Sequence, residues 1–117
     1  GHAVQARTGI LISGKALEQR MSDADAIVAS RRMETQADCF AAKYVRSVAQ
    51  SQSLDQAKLA AIVTLVYNLG DDVLSGKPNI NGGHGLGKTR QAWFSTGMGS
   101  DTLQGCNTFN VPANQVR

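Results

Sequence analysis

Apolar residues recur at three- and four-residue steps over much of the chain, the period of a helix with one face turned inward. The longest stripe is Met33, Ala37, Phe40, Ala41, Tyr44, Val45 and Val48, and Ser22 with Asp25 supplies an N-terminal cap, so a helix is expected from about Ser22 to Gln50. A second is expected to start at Ser53, with Gln56 three residues on as a capping box. It carries Leu54, Ala57, Ala61, Ile62, Leu65, Val66 and Leu69 inward and stops at Gly70. Ala3, Val4 and Ala6 read as the end of a helix that begins before residue 1 and is closed by Thr8-Gly9. A short helix is expected over Lys88 to Thr96, with Trp93 and Phe94 inward. The tail after Phe109 is polar, contains Pro112, and is expected to be loosely held. Ile10-Leu11-Ile12 is the one short apolar run with strand character, so the class is all-α.

Between these elements, Gly76 to Gly87 holds five of the chain's 12 glycines and one of its two prolines, which makes it a loop that something other than propensity must order. The chain has 117 residues, enough for one domain or a piece of one and too few for two. Its 12 basic and 9 acidic side chains leave a charge of +3, and the basic residues are scattered, so no nucleic-acid footprint is present. The longest apolar stretch, Leu59 to Tyr67, is broken by Thr64 and falls well short of the ~20 residues of a membrane span. The opening residues carry neither a signal peptide nor an initiator Met, so the sequence reads as a processed or excised piece. Cys39 and Cys106 stand too far apart for a Cys-x-x-Cys motif, which leaves one disulfide, two buried thiols, or one of each kind.

Gly82-Gly83-His84-Gly85-Leu86-Gly87-Lys88-Thr89 matches the phosphate-cradling pattern G-x-x-x-x-G-K-[ST]. That chemistry needs a buried strand feeding the loop and a parallel sheet beyond it. Lys77-Pro78-Asn79-Ile80-Asn81 cannot be a central strand, because Pro donates no ladder hydrogen bond, and too few residues follow Thr89 to complete a sheet. A glycine-rich turn with a solvated Lys88 is the simpler reading. Nucleotide binding through Gly82–Thr89 stands as the weakest of three functional alternatives.

Glu34 and Asp38 lie four apart and therefore share a helix face, where two carboxylates repel. Either they face solvent beside Arg31, Arg32 or Lys43, as in a non-catalytic helical binding or assembly module, or they face inward and need a cation, a histidine or N–H donors. Their surroundings, Arg32-Met33-Glu34-Thr35-Gln36-Ala37-Asp38-Cys39-Phe40-Ala41, closely resemble the R-x-E-x-Q-A-D-C-F-A signature of the bacterial neutral zinc metallopeptidase family. In that family the signature follows an H-E-x-G-H helix, and Gly1-His2-Ala3-Val4-Gln5 looks like the last two residues of that motif with its usual continuation. Gly-His is also a common remnant of tag cleavage, but Ala3-Val4-Gln5 continues the family pattern. His84-Gly85, Arg90, Trp93-Phe94, Gly97 and Cys106-Asn107-Thr108-Phe109 resemble further family positions, as does Leu69-Gly70-Asp71-Asp72. Leu86-Gly87 and Asn107 depart from the family's usual residues.

The resemblance implies the helical C-terminal part of a zincin-like catalytic domain, a single unit over residues 1–117 cut inside the H-E-x-x-H motif. It implies Zn2+ held by an upstream histidine, His2 and Glu34, with an upstream glutamate as general base and Asp38 orienting a liganding histidine. His84 or Arg90 is then the candidate for stabilising the oxyanion of peptide hydrolysis; alternatively His84 caps a turn and Arg90 pairs with Asp71 or Asp72. Asp71 and Asp72 are otherwise expected to satisfy local N–H groups after Gly70. A disulfide between Cys39 and Cys106 is implied as well, and with it an oxidising, extracytoplasmic compartment. The partner is a peptide or protein substrate, not nucleic acid, and the membrane enters only through an upstream anchor. Lacking one histidine and the general base, these residues alone are expected to bind zinc weakly and to hydrolyse nothing.

Overall fold

The computed structural model describes residues 1–49 and 51–117. Every regular element among them is helical: α1 (His2–Arg7), α2 (Ile10–Glu18), α3 (Asp23–Ala49), α4 (Gln56–Asn68), α5 (Asp71–Ser75) and α6 (Gly87–Gly99), then 3-10 turns at Leu103–Cys106, Thr108–Asn110 and Ala113–Gln115. The 27-residue α3 is the axis of the fold. On it pack α6, α2, α1 and the first two 3-10 turns, while α4 lies against α6 and α5 bridges α4 and α6. The result is a slab with extents of 45 × 34 × 20 Å. Among the described residues no helix is long and apolar enough to cross a membrane.

Helix α3 starts as the sequence suggests. The Ser22 hydroxyl accepts from the Asp25 amide at 3.3 Å and donates to its carboxylate at 3.0 Å, and Asp23 and Asp25 place negative charge at the first turn, where the helix dipole favours it. The expected end at Gln50 lies outside the described residues. The inward stripe differs from expectation at one position, Tyr44, which is 67% exposed.

The structure refines the reading at other positions. Ile10-Leu11-Ile12 is the first turn of α2, entered through Gly9 at φ 79°, a left-handed backbone that breaks α1 from α2. Helix α4 is capped by Asp55, whose carboxylate accepts from the Lys58 amide at 2.8 Å, not by Ser53, which sits at φ 51° in the preceding turn. Of its expected inward residues only Val66 is buried, while Leu65 and Leu69 stay 58% and 42% exposed. The tail is tied down, not loose. Val116 is fully buried, the Gln115 carbonyl accepts from Trp93 Nε1 at 2.8 Å, and the Arg117 carbonyl accepts from the Leu86 amide at 2.6 Å. Trp93 is consequently half-buried against the tail, and Phe94 alone turns fully inward.

The core has two parts. Ala42, Val66 and Phe94 form one where α3, α4 and α6 meet; Cys39, Phe40 and Cys106 form the other, flanked by Ile10 and Trp93. Cys39 and Cys106 are joined in a disulfide with Cα atoms 5.6 Å apart, fastening the middle of α3 to the end of the chain. Gly97 lets α6 come close to α3, because a Cβ there would run into the Cys39 carbonyl and the Ala42 side chain.

The bridge closes a loop of 67 residues, for which the chain-entropy model gives a stabilisation of about 4 kcal/mol. Urea denaturation with and without a reductant should therefore yield unfolding free energies differing by about that amount. Superimposable curves would mean that the bond contributes nothing to the fold.

Candidate metal centre

Burial closes around α3 from Thr35 to Phe40, where six consecutive side chains are buried although a helix on a surface would expose half of them. Polar groups caught in such a stretch need partners, and each one here finds a specific partner. Asp38 receives both arms of Arg90 on α6, Nε to Oδ2 at 2.8 Å and Nη2 to Oδ1 at 2.9 Å. Arg90 Nη1 donates to the Leu69 carbonyl at 3.1 Å, and Nη2 lies 3.5 Å from Glu34 Oε2. The expected pairing of Arg90 with Asp71 or Asp72 is thus replaced by Asp38 and Glu34.

Burial raises the Asp38 carboxyl above its ordinary value, while the hydrogen bonds and charge of Arg90 act in the opposite direction and the approach of Glu34 adds to the rise. For Arg90, burial alone would lower the pKa. The hydrogen bonds and charge of Asp38, with Glu34 and Asp71 behind it, outweigh burial and raise it. The guanidinium therefore stays charged and holds the cluster as an ion pair.

Glu34 points its other oxygen toward α1. His2 Nε2 lies 3.4 Å from Glu34 Oε1; the His2 side chain is 50% exposed and that of Glu34 19%, so the gap between them opens to solvent. The sequence reading gave no role to Gln5, three residues after His2 and completely buried. Its Oε1 lies 2.8 Å from His2 Nδ1, and its amide nitrogen donates to the Met33 carbonyl at 2.9 Å and to Gln36 Oε1 at 3.0 Å. The available signal was a polar residue on the same helix face as His2, opposite a second glutamine in the signature. Helix α1 can lie this close because a Cβ on Gly1 would overlap the Ala37 carbonyl.

His84 stands on the glycine-rich loop with its side chain 62% exposed and Nδ1 3.0 Å from Asp71 Oδ1. Asp71 Oδ2 also accepts from the His84 amide at 2.9 Å and the Gly85 amide at 3.2 Å, and Asp72 Oδ1 accepts from the Gly87 amide at 2.7 Å. The two aspartates thus satisfy the amides of a loop a dozen or more residues away, not those just after Gly70. These are the N–H groups that a phosphate-cradling loop would offer to a nucleotide, and they are occupied by the protein's own carboxylates. The loop is anchored to α3 as well: Arg31 donates to the Gly82 carbonyl and to Asn81 Oδ1, both at 2.7 Å. Burial, then the nearby charge of Arg117, lowers the Arg31 pKa, with Asp71 partly offsetting them. On the far side of the signature, Arg32 donates to the Thr108 carbonyl while the Thr108 hydroxyl donates to the Arg32 carbonyl.

The structure thus brings His2, Glu34, Asp38 and Arg90 together, places His84 on the loop fastened by Asp71, and joins Cys39 to Cys106. Among the described residues no group of three or more His, Cys, Asp or Glu side chains converges to hold a metal ion. The family model described as "Putative neutral zinc metallopeptidase" matches residues 1–109. The chain belongs to that family. It is 33% identical over 114 residues to "Uncharacterized protein YpfJ" of Escherichia coli strain K12, an alignment covering 93% of this chain and 40% of that protein. The counterpart in Escherichia coli O6:H1 strain CFT073 aligns with the same identity and coverage. The chain therefore spans about two fifths of the length of the curated relatives it matches. No solved structure matches it.

Two measurements test the framework of this region. Arg90→Met leaves Asp38 buried without its cation and should destabilise the fold by about 3–5 kcal/mol in urea denaturation. The double variant Asp38→Leu/Arg90→Met should recover part of the loss, and equal losses in both would show that the charges are not coupled. Asp71→Ala should release the His84 and Gly85 amides, read as faster hydrogen exchange at those two positions with the core amides of α3 unchanged.

Proposed function

We propose that this chain supplies part of the active site of a zinc-dependent peptidase, with His2 and Glu34 as two of the metal's ligands. The observation that carries the reading is the 3.4 Å separation of His2 Nε2 and Glu34 Oε1, with His2 Nδ1 engaged by Gln5 and Glu34 Oε2 facing Arg90. A histidine nitrogen and a carboxylate oxygen this close share either a proton or a metal cation. Two ligands on one tetrahedral zinc, with bonds of ~2.0 Å each, stand roughly 3.3 Å apart, so the donor pair fits that ion. The third ligand and the general base are assigned to a histidine and a glutamate preceding Gly1, which would complete an H-E-x-G-H helix ahead of α1. Family membership supports this assignment.

Bound zinc supplies Lewis acidity and lowers the pKa of a coordinated water toward neutrality. The chain's own residues do the positioning. Arg90 faces one oxygen of Glu34 and leaves the other directed at His2, and Asp38 keeps Arg90 in place from below. Arg90 is only 7% exposed and its donors are engaged, so of the two candidates His84 is the better placed to meet a developing oxyanion. Its Nδ1 lies 3.0 Å from Asp71 Oδ1, and its side chain is 62% exposed. The substrate class is a peptide or protein. The disulfide supports an extracytoplasmic location, and any membrane attachment of the whole protein would rest on a segment other than the helices described.

In the intact natural protein, Glu34→Ala and His2→Ala should each lower zinc content to near background and abolish chelator-sensitive peptide hydrolysis while leaving the far-ultraviolet dichroism unchanged. Zinc content unaffected by Glu34→Ala would favour a non-catalytic helical module. The 117 residues by themselves should hydrolyse no peptide, and robust chelator-sensitive proteolysis from them would overturn the assignment of the base to another segment. Lys88→Ala should leave all these readouts unchanged.

A further inference from the structure

We infer that Gln5 is the positioning residue for His2, fixing which ring nitrogen is free to bind a metal and, through the same side chain, how far the helix carrying His2 stands from the helix carrying Glu34. The inference rests on the reading of His2 as a ligand. Gln5 is completely buried, and a buried primary amide is tolerated only when its donors and acceptor are all satisfied. Both N–H groups are used on α3, one by the Met33 carbonyl and one by Gln36 Oε1. A carbonyl can only accept, so the amide cannot turn over without setting two acceptors against each other. Its oxygen must therefore face His2, and an acceptor 2.8 Å from Nδ1 requires Nδ1 to carry the proton. The lone pair of the neutral ring is left on Nε2, the nitrogen directed at Glu34 Oε1.

Free neutral imidazole side chains favour the opposite arrangement, with the proton on Nε2. The fold thus imposes a tautomer that the side chain does not choose alone. A metal-bound histidine is commonly oriented by a carboxylate or a backbone carbonyl. A neutral amide suits this position better, since Glu34 and Asp38 already place two carboxylates in the neighbourhood and a third would add to their repulsion. Two of the three bonds of Gln5 also cross from α1 to α3, at Met33 and Gln36, on either side of Glu34. One buried amide therefore sets both the orientation of one ligand and its spacing from the next.

The test uses the intact natural protein. In its metal-free form, at a pH where His2 is neutral, a long-range proton–nitrogen correlation spectrum, with the His2 ring identified by its loss in His2→Ala, should show the Nδ1–H tautomer. A predominant Nε2–H signal overturns the inference, and this measurement needs no variant of Gln5. Gln5→Met keeps the volume and removes all three hydrogen bonds. It should weaken zinc binding about 10- to 100-fold in competition with a chromogenic chelator and move the tautomer toward Nε2–H. Zinc affinity within two-fold of the parent in Gln5→Met, with zinc lost in His2→Ala, overturns the role of Gln5 and leaves the ligand reading intact. Full zinc affinity in His2→Ala overturns the ligand reading itself, and the inference about Gln5 with it.

Discussion

A carboxylate buried in the middle of a helix must be answered by a cation, and the meeting of Asp38 with Arg90 is the contact on which this architecture turns. It joins the two most extensively packed helices, α3 and α6, at the level where both are covered. Because the guanidinium is planar and carries several donors, the same group that neutralises Asp38 also holds the Leu69 carbonyl at the end of α4 and faces Glu34. A lysine could neutralise Asp38 but could not make this fan of contacts. The end of α4 is thereby fixed to the middle of α3 through one side chain.

The run from Arg32 to Cys39 follows from this geometry. Arg32 exchanges hydrogen bonds with Thr108, Glu34 lies between His2 and Arg90, Gln36 meets Gln5, Ala37 is pressed by Gly1, Asp38 holds Arg90, and Cys39 is bonded to Cys106. Most of this helix segment is enclosed, with Glu34 left partly open to solvent, so its polar residues are held by specific partners as its apolar ones are held by packing. The short motifs outside it, Gly-His at the start, Arg in the middle, Cys-x-Thr near the end, are the other halves of these pairs.

What could be read from the sequence was what local periodicity and capping determine: the helical class, the start of α3, the body of α4, and the loop between residues 76 and 87. Helix α2 escaped because its first turn is a run of three large apolar residues, which has no helical period of its own. Helix α5 is a single short turn after Gly70, below the length at which a pattern shows. Ser53 resembled a cap in composition, but its left-handed backbone put the actual start two residues later, at Asp55. The tail looked loose because its composition is polar, while its attachment runs through backbone carbonyls, which every residue has and no sequence advertises. The candidate site divides in the same way. His2, Glu34, Asp38 and Arg90 were visible as residue types, whereas the pairing of Asp38 with Arg90 and the insertion of Gln5 beneath His2 are properties of helix packing across a separation of some thirty to fifty residues.

Gly1 and Gly97 bring bare backbone against α3 at Ala37 and at Cys39, within a single turn of each other. With no side chains between the chains at these points, there is no compressible layer through which the helix could roll or slide along its axis. Glu34 therefore sits on a rod clamped just beyond it. The placement of one carboxylate along α3 thus depends on two missing methyl groups.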